Sequence, residues 1–172
     1  MKTMTRYLLL TALAALFSSH VFAQSKPDPH AQHAKPSANS PVMDVLQAAQ
    51  PAVDIVDRFG KSLASGDLKA VGGLLDPAVL ILESGGAERS REEYLGHHAI
   101  ADAAFLKSAH QQIRRRTARI SGDMAWVGTE SELHATRDGK ATTMLSTETM
   151  VLMRTSEGWR IVHIHWSSRP KR

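Results

Sequence analysis

The chain has 172 residues, 21 lysines and arginines against 17 aspartates and glutamates, and no cysteine. A formal charge of +4 is too small to argue for a nucleic-acid partner. Disulfides and thiolate chemistry are excluded, so stability must come from an apolar core or from self-association.

The first 23 residues read as a secretory signal peptide. Lys2 and Arg6 form a basic start, Tyr7 to Phe17 an apolar stretch, and Val21-Phe22-Ala23 offers small residues at the cleavage site. Eleven residues are too few to cross a bilayer core, which needs roughly 20, so the expectation is a cleaved protein, periplasmic or secreted, without a membrane anchor. Removing Lys2 and Arg6 takes 21 basic residues to 19 against 17 acidic, a net +2. Residues 24–41 hold four prolines and no leucine, isoleucine, valine or aromatic residue. Such a segment cannot offset its ordering entropy and reads as a disordered tether. The folded domain is expected over 42–169, with a basic tail at 170–172.

Val53, Val56, Phe59 and Leu63 recur at helical spacing after Pro51, and Gly66 is placed to end that helix. Asp67 caps a second short helix that Asp76-Pro77 stops. The apolar run 79–82, closed by Glu83, is a buried strand turned by Gly85-Gly86. Ser90 and Glu93 form a capping box for a third helix running to about Lys107. Beyond it the period becomes two. Strands are expected at 110–121, 124–136, 141–155 and 159–168, joined at Gly122-Asp123, Asp138-Gly139 and Glu157-Gly158. Helices followed by an antiparallel meander make an α+β domain, with a curved antiparallel sheet wrapped over the N-terminal helices.

The order of these elements, with Ser65-Gly66-Asp67, Leu75-Asp76-Pro77, Ser90 to Tyr94 and Gly158 to Ser167, resembles the nuclear-transport-factor-2-like superfamily. Within it the sequence resembles the SnoaL-like or DUF4440 group, and its ending resembles the association domain of calcium/calmodulin-dependent protein kinases. The resemblance implies a cone-shaped sheet around a pocket and a homodimer formed through the sheet. It does not fix the activity, because the fold hosts isomerases, cyclases, hydratases and non-catalytic assembly domains.

The candidate site residues are identified by alternation. His163 and His165 share one face of the last strand, opposite apolar Val162, Ile164 and Trp166. The expectation is that the imidazoles line the pocket and the apolar face forms the dimer interface. Glu148 shares a face with Met144, Met150 and Leu152, so its carboxyl needs a partner or a raised pKa; Glu83 raises the same question. Tyr94 and His98, four apart, are placed on one helical face, with His97 turned away. Glu130, Glu132 and His134 alternate onto one face. Arg114 and Arg116 share a face, with Arg115 and Arg119 opposite. A guanidinium in the pocket would suit an anionic ligand, whereas pairing with Glu130 or Glu132 would be purely structural.

The expected function is small-molecule binding, with a lyase or isomerase built on His165, His163, Glu148, Tyr94 and His98, and ligand contacts from Glu83, Arg114, Arg116, Glu130 and His134. A homo-oligomerising accessory domain is the alternative. A metal-binding role, with Glu148 or His98 joining His163 and His165 or with tether residues His30 and His33, ranks third. No cofactor and no metal is assigned.

Overall fold

The computed structural model describes residues 40–137 and 139–172. The expected signal peptide, and the tether up to residue 39, lie outside the described residues. The first element is β1 (Val42–Val45), succeeded by a 3-10 turn at Gln47–Ala49. Helix α1 (Gln50–Ser65) then buries Val53, Val56, Phe59 and Leu63, as their spacing requires. Gly66 ends it at φ 79°, and its amide reaches back to Leu63 and Ser62. A Cβ there would meet the left-handed penalty, which is why glycine occupies the position. The Asp67 carboxylate accepts the Ala70 amide at 2.9 Å and starts α2 (Leu68–Leu74).

Strand β2 (Leu75–Glu83) begins earlier than its apolar run suggests and turns through Ser84-Gly85 into the short β3 (Gly86–Glu88). The capping box forms with its return bond displaced. The Glu93 amide donates to Ser90 Oγ at 3.0 Å, but the Glu93 carboxylate takes the Arg89 amide at 2.7 Å. The third helix is in fact two, α3 (Arg91–Gly96) and α4 (His98–Ser108), broken at His97 with φ −130° and ψ −94°. Gly96, a weak helix former, stands at the break. The break reorients the chain, so that α4 turns Ala99, Asp102 and Leu106 inwards.

The meander is as expected: β4 (His110–Ser121), β5 (Met124–Arg137), β6 (Lys140–Thr155) and β7 (Gly158–Pro170), paired antiparallel in sequence. Two parallel pairings extend it. β1 lies along β4 and β2 along β7, giving a curved, unclosed mixed sheet in the order β1-β4-β5-β6-β7-β2-β3. Register shifts interrupt three ladders: around Arg114, around Val162, and between Leu75 and Leu80.

Helix α1 packs against α4, β5 and β7, so among the described residues one sheet face is covered and the other is not. The covered face carries Val79 and Ile81 from β2, Ala125 and Val127 from β5, Met150 and Leu152 from β6, and Ile161 and Ile164 from β7, all buried. Hydrophobic burial of about 1.5–3 kcal/mol per large side chain dictates which way each strand faces.

Candidate functional site

One register row builds the site. Glu83 on β2 pairs with Trp166 on β7, Trp166 with Glu148 on β6, Glu148 with Thr129 on β5, and Thr129 with Arg116 on β4. Residues at one level of neighbouring strands project to the same side, here the covered side. Above the row lies a cavity of about 430 Å³. Phe59 and Leu63 of α1, Phe105 and Leu106 of α4, and Ile113, Leu133 and Met144 of the sheet give it apolar walls. Asp57, Glu83, Asp102, Arg116, Glu148 and Lys61 add its charged groups.

Glu148 is the most constrained of these. Its carboxylate accepts the Trp166 indole N–H at 2.9 Å on one oxygen and the Thr129 hydroxyl at 3.2 Å on the other. Burial pushes its pKa up, against the pull of these two donors and of the Arg116 charge. Trp166 is itself wedged between Phe59 and Tyr94, with ring centroids 6.3 and 6.2 Å away. Arg116 is buried and ion-paired with Asp57 of α1, so its charge is answered inside the wall.

At the other end of the row, the buried Tyr94 donates its hydroxyl to Asp102 at 3.0 Å. Burial raises the Asp102 pKa, opposed by that bond and by the His98 charge. Glu83 is raised by burial first and then by the Asp102 carboxylate beside it, with His98 again opposing. Tyr94 is driven far above the ordinary phenol range by burial and by the Asp102 charge. Two neighbouring carboxyls that resist ionising together form a natural acid–base pair. Among the described residues Glu83 makes no side-chain hydrogen bond, which leaves its oxygens available to a ligand.

The histidine expectation is corrected. His163 and His165 lie on the uncovered face; His165 is exposed, and His163 Nδ1 donates to the Leu80 carbonyl at 2.8 Å. Ile164 is fully buried and Trp166 lines the cavity, so they cannot form the dimer interface assigned to them. The reason is elementary: helices cover the apolar face of β7, and the polar face is left to solvent. Glu148 and His163 therefore sit on opposite sides of the sheet and cannot share a metal ion. Among the described residues no three histidine or acidic side chains gather as a metal shell. His30 and His33 lie outside the described residues.

Tyr94 and His98 do not share a face, because the break at His97 separates them. Tyr94 enters the core, whereas the His98 ring is exposed and bonds Glu88 Oε1. Glu130, Glu132 and His134 do share a face, but it is the uncovered one. Glu130 pairs with Arg115 at 3.6 Å and Glu132 with Arg114 at 3.3 Å. His134 Nδ1 pairs with the Thr143 hydroxyl at 3.0 Å. Arg114 and Arg116 are parted by the register shift, which leaves Arg114 outside and brings Arg116 in. Arg114 therefore stands outside the cavity, and Arg116, which lines it, is ion-paired with Asp57.

Of the expected site residues, the structure thus gathers Glu83, Glu148 and Arg116 at the cavity, with Tyr94 behind Asp102. Sequence reasoning missed Asp57, Asp102, Thr129 and Trp166 as participants. Asp102 carried a signal, as the lone charge in the run Ala99 to Leu106. Asp57 carried a fainter one: Gly60 and Ala64 come next on its helical row, small residues that leave room above the sheet.

The SnoaL-like domain model matches residues 53–170. No curated protein matches the chain. Among solved structures, a Shewanella frigidimarina protein provisionally named a ketosteroid isomerase is 33% identical, with a TM-score of 0.67, and the match covers 72% of this chain and 99% of that one. A Xanthomonas campestris protein provisionally named a calcium/calmodulin-dependent protein kinase II association domain is 23% identical over 79% of this chain and 99% of its own, with a TM-score of 0.60. A Streptomyces avermitilis protein provisionally named a dehydratase is 18% identical over 70% and 95%, with a TM-score of 0.57. The last two share the fold alone. The matched span takes in every cavity-lining strand, and the chain belongs to the SnoaL-like domain family within the nuclear-transport-factor-2-like superfamily.

Proposed function

We propose that this SnoaL-like domain is an exported, cofactor-free isomerase or lyase that moves a proton next to a carbonyl in a small, neutral, largely apolar compound. The observation that carries this reading is a single apolar-walled cavity holding three carboxyl groups, Glu83, Asp102 and Glu148, whose proton affinities are raised by burial. A carboxylate with a raised pKa is a stronger base, and one that keeps its proton can donate to an oxyanion.

In this reading Glu83 takes the proton from the carbon beside the carbonyl, which leaves an enolate and a neutral Glu83. Glu148 keeps its proton and donates a hydrogen bond to the enolate oxygen. Glu83 then returns the proton at the remote carbon of the conjugated system, so the reaction consumes no oxidant or reductant. Asp102 keeps Glu83 receptive through its charge. The similarity to the Shewanella protein supports this reaction class.

The test is conversion of a small β,γ-unsaturated ketone to its α,β isomer, monitored by ultraviolet absorbance. Glu83→Gln should lower kcat by about 10²–10⁴, the range of general-base catalysis. Unchanged turnover in that variant, or none above buffer in the parent across a panel of such ketones, would end the proposal. Export is tested separately by the mature N-terminus, expected at Gln24.

A second reading, association of two copies, is favoured by the uncovered sheet face, where Trp126 is 40% exposed with exposed Met124 beside it on β5, and Leu80 is exposed farther along on β2. A monomer by light scattering at micromolar concentration would sink it. The two readings are compatible, since the cavity opens on the other side of the sheet.

A further inference from the structure

His98 is outside the cavity, yet it is tied to it from two directions. It begins α4 directly after the break at His97, and Asp102 stands one turn later on the same helical face. Its Nδ1 bonds the Glu88 carboxylate, whose side chain is only 6% exposed whereas the imidazole is 57% exposed. Glu88 in turn sits on β3, joined to Glu83 by the tight Ser84-Gly85 turn, with Glu83 opposite Gly86 and Glu88 opposite Ile81. A buried carboxylate without a partner is costly, and among the described residues His98 is the partner of Glu88. The hairpin that carries Glu83 and the helix that carries Asp102 are therefore pinned to each other at His98.

We propose that His98, anchored on Glu88, is a positioning residue that sets the charge felt by the Glu83/Asp102 pair. This inference rests on the proposed role of that pair. His98 touches neither the cavity nor a substrate, and acts through the two carboxyls. The groups that face this junction are Glu83 from β2, Glu88 from β3, Tyr94 from α3, His97 edge-on at 6.2 Å, and Asp102 from α4 itself. Lys61 and Asp57 of α1 line the same cavity farther along. The cations of this set are His98, His97 and Lys61, and among the described residues His98 alone of the three is hydrogen-bonded to a buried acid of this junction. A charged imidazole favours the ionised carboxyls, and a neutral one lets them hold their proton. Burial and mutual repulsion push both acids up while His98 opposes, in agreement with that direction.

The test is a carbon-13 carboxyl titration of the unliganded protein, with Glu83→Gln and Asp102→Asn assigning the two signals. His98→Gln should move the titration midpoints of Glu83 and Asp102 to higher pH. His98→Lys, which keeps a permanent charge, should restore them. The acid limb of kcat in the ketone assay should move in the same sense. Coincident midpoints in the parent and His98→Gln, or a His98→Lys variant that behaves like the glutamine one, would overturn the inference by reducing His98 to a structural tie. A midpoint shift in a protein that turns over no ketone would keep it and sink the isomerase reading alone.

Discussion

Glu148 is held at both carboxylate oxygens, and Trp166 supplies one of the two donors. The indole N–H and the Thr129 hydroxyl each occupy one carboxylate oxygen, so the side chain has a fixed orientation before any ligand arrives. Trp166→Phe keeps most of the packing against Phe59 and Tyr94 but deletes one donor to a buried acid. It should cost about 1–3 kcal/mol of stability, the range for leaving such a group short of a partner. It should also raise the Glu148 pKa further. Chemical denaturation and a carboxyl titration check the two effects separately. This interaction was half legible in the sequence. The apolar company of Met144, Met150 and Leu152 marks Glu148 as a buried acid, but alternation cannot say which strand lies beside β6. The partner therefore stayed hidden until the register was known.

At the scale of elements, the helix ends obeyed local chemistry. Gly66 and Asp67 act where their residue types place them, because capping depends on a few adjacent atoms. Gly66→Ala should lower stability by about 1–2 kcal/mol, the cost of a Cβ in the left-handed region, measured as a shift in the denaturation midpoint. The meander was legible for the same reason: period-two stretches separated by glycine turns have few alternatives. Three things were not. The strand at Val42–Val45 is exposed on most of its residues and pairs parallel with a distant partner, so it has no amphipathic signature. The break at His97 comes from how α4 docks rather than from a proline. The inward face of β7 is not marked by its two histidines, because burial of Ile164 and Trp166 is worth more than any pocket those histidines could line.

For the whole molecule, the three raised carboxyls make a joint statement about pH. A carboxyl whose pKa is higher in the folded chain than in the unfolded one binds extra protons when folded. The folded state is then favoured at low pH, and that advantage is lost as pH rises through the folded value. Glu83, Asp102 and Glu148 all have this sign. Stability should therefore fall as pH rises from the ordinary carboxylate range through the folded values, with a slope of at most about 1.4 kcal/mol per pH unit for each group. The carboxyls lowered by ion pairs outside the cavity, Asp44 with Arg119 and Glu132 with Lys171 and Arg114, have the opposite sign, and solvent screens the exposed Asp44 pair. Melting temperatures between pH 5 and 8 test this, and Glu148→Gln should flatten the profile. A flat profile in the parent protein would contradict the protonation assigned to the cavity.

The register shifts at Arg114 and Val162 add one residue each to β4 and β7 without a counterpart on β5 or β6. A surplus residue bends its strand and increases the local twist, and the hollow under α1 and α4 exists because the sheet bends. The room available to a guest is thus encoded in strand length as well as in side-chain size. Removing Arg114 would leave Ile113 and Arg116 facing inwards, since alternation resumes on both sides, while straightening the wall between them. Relatives that differ by a single-codon insertion or deletion in these strands could keep every polar group of the chamber and still differ in the size of molecule they admit.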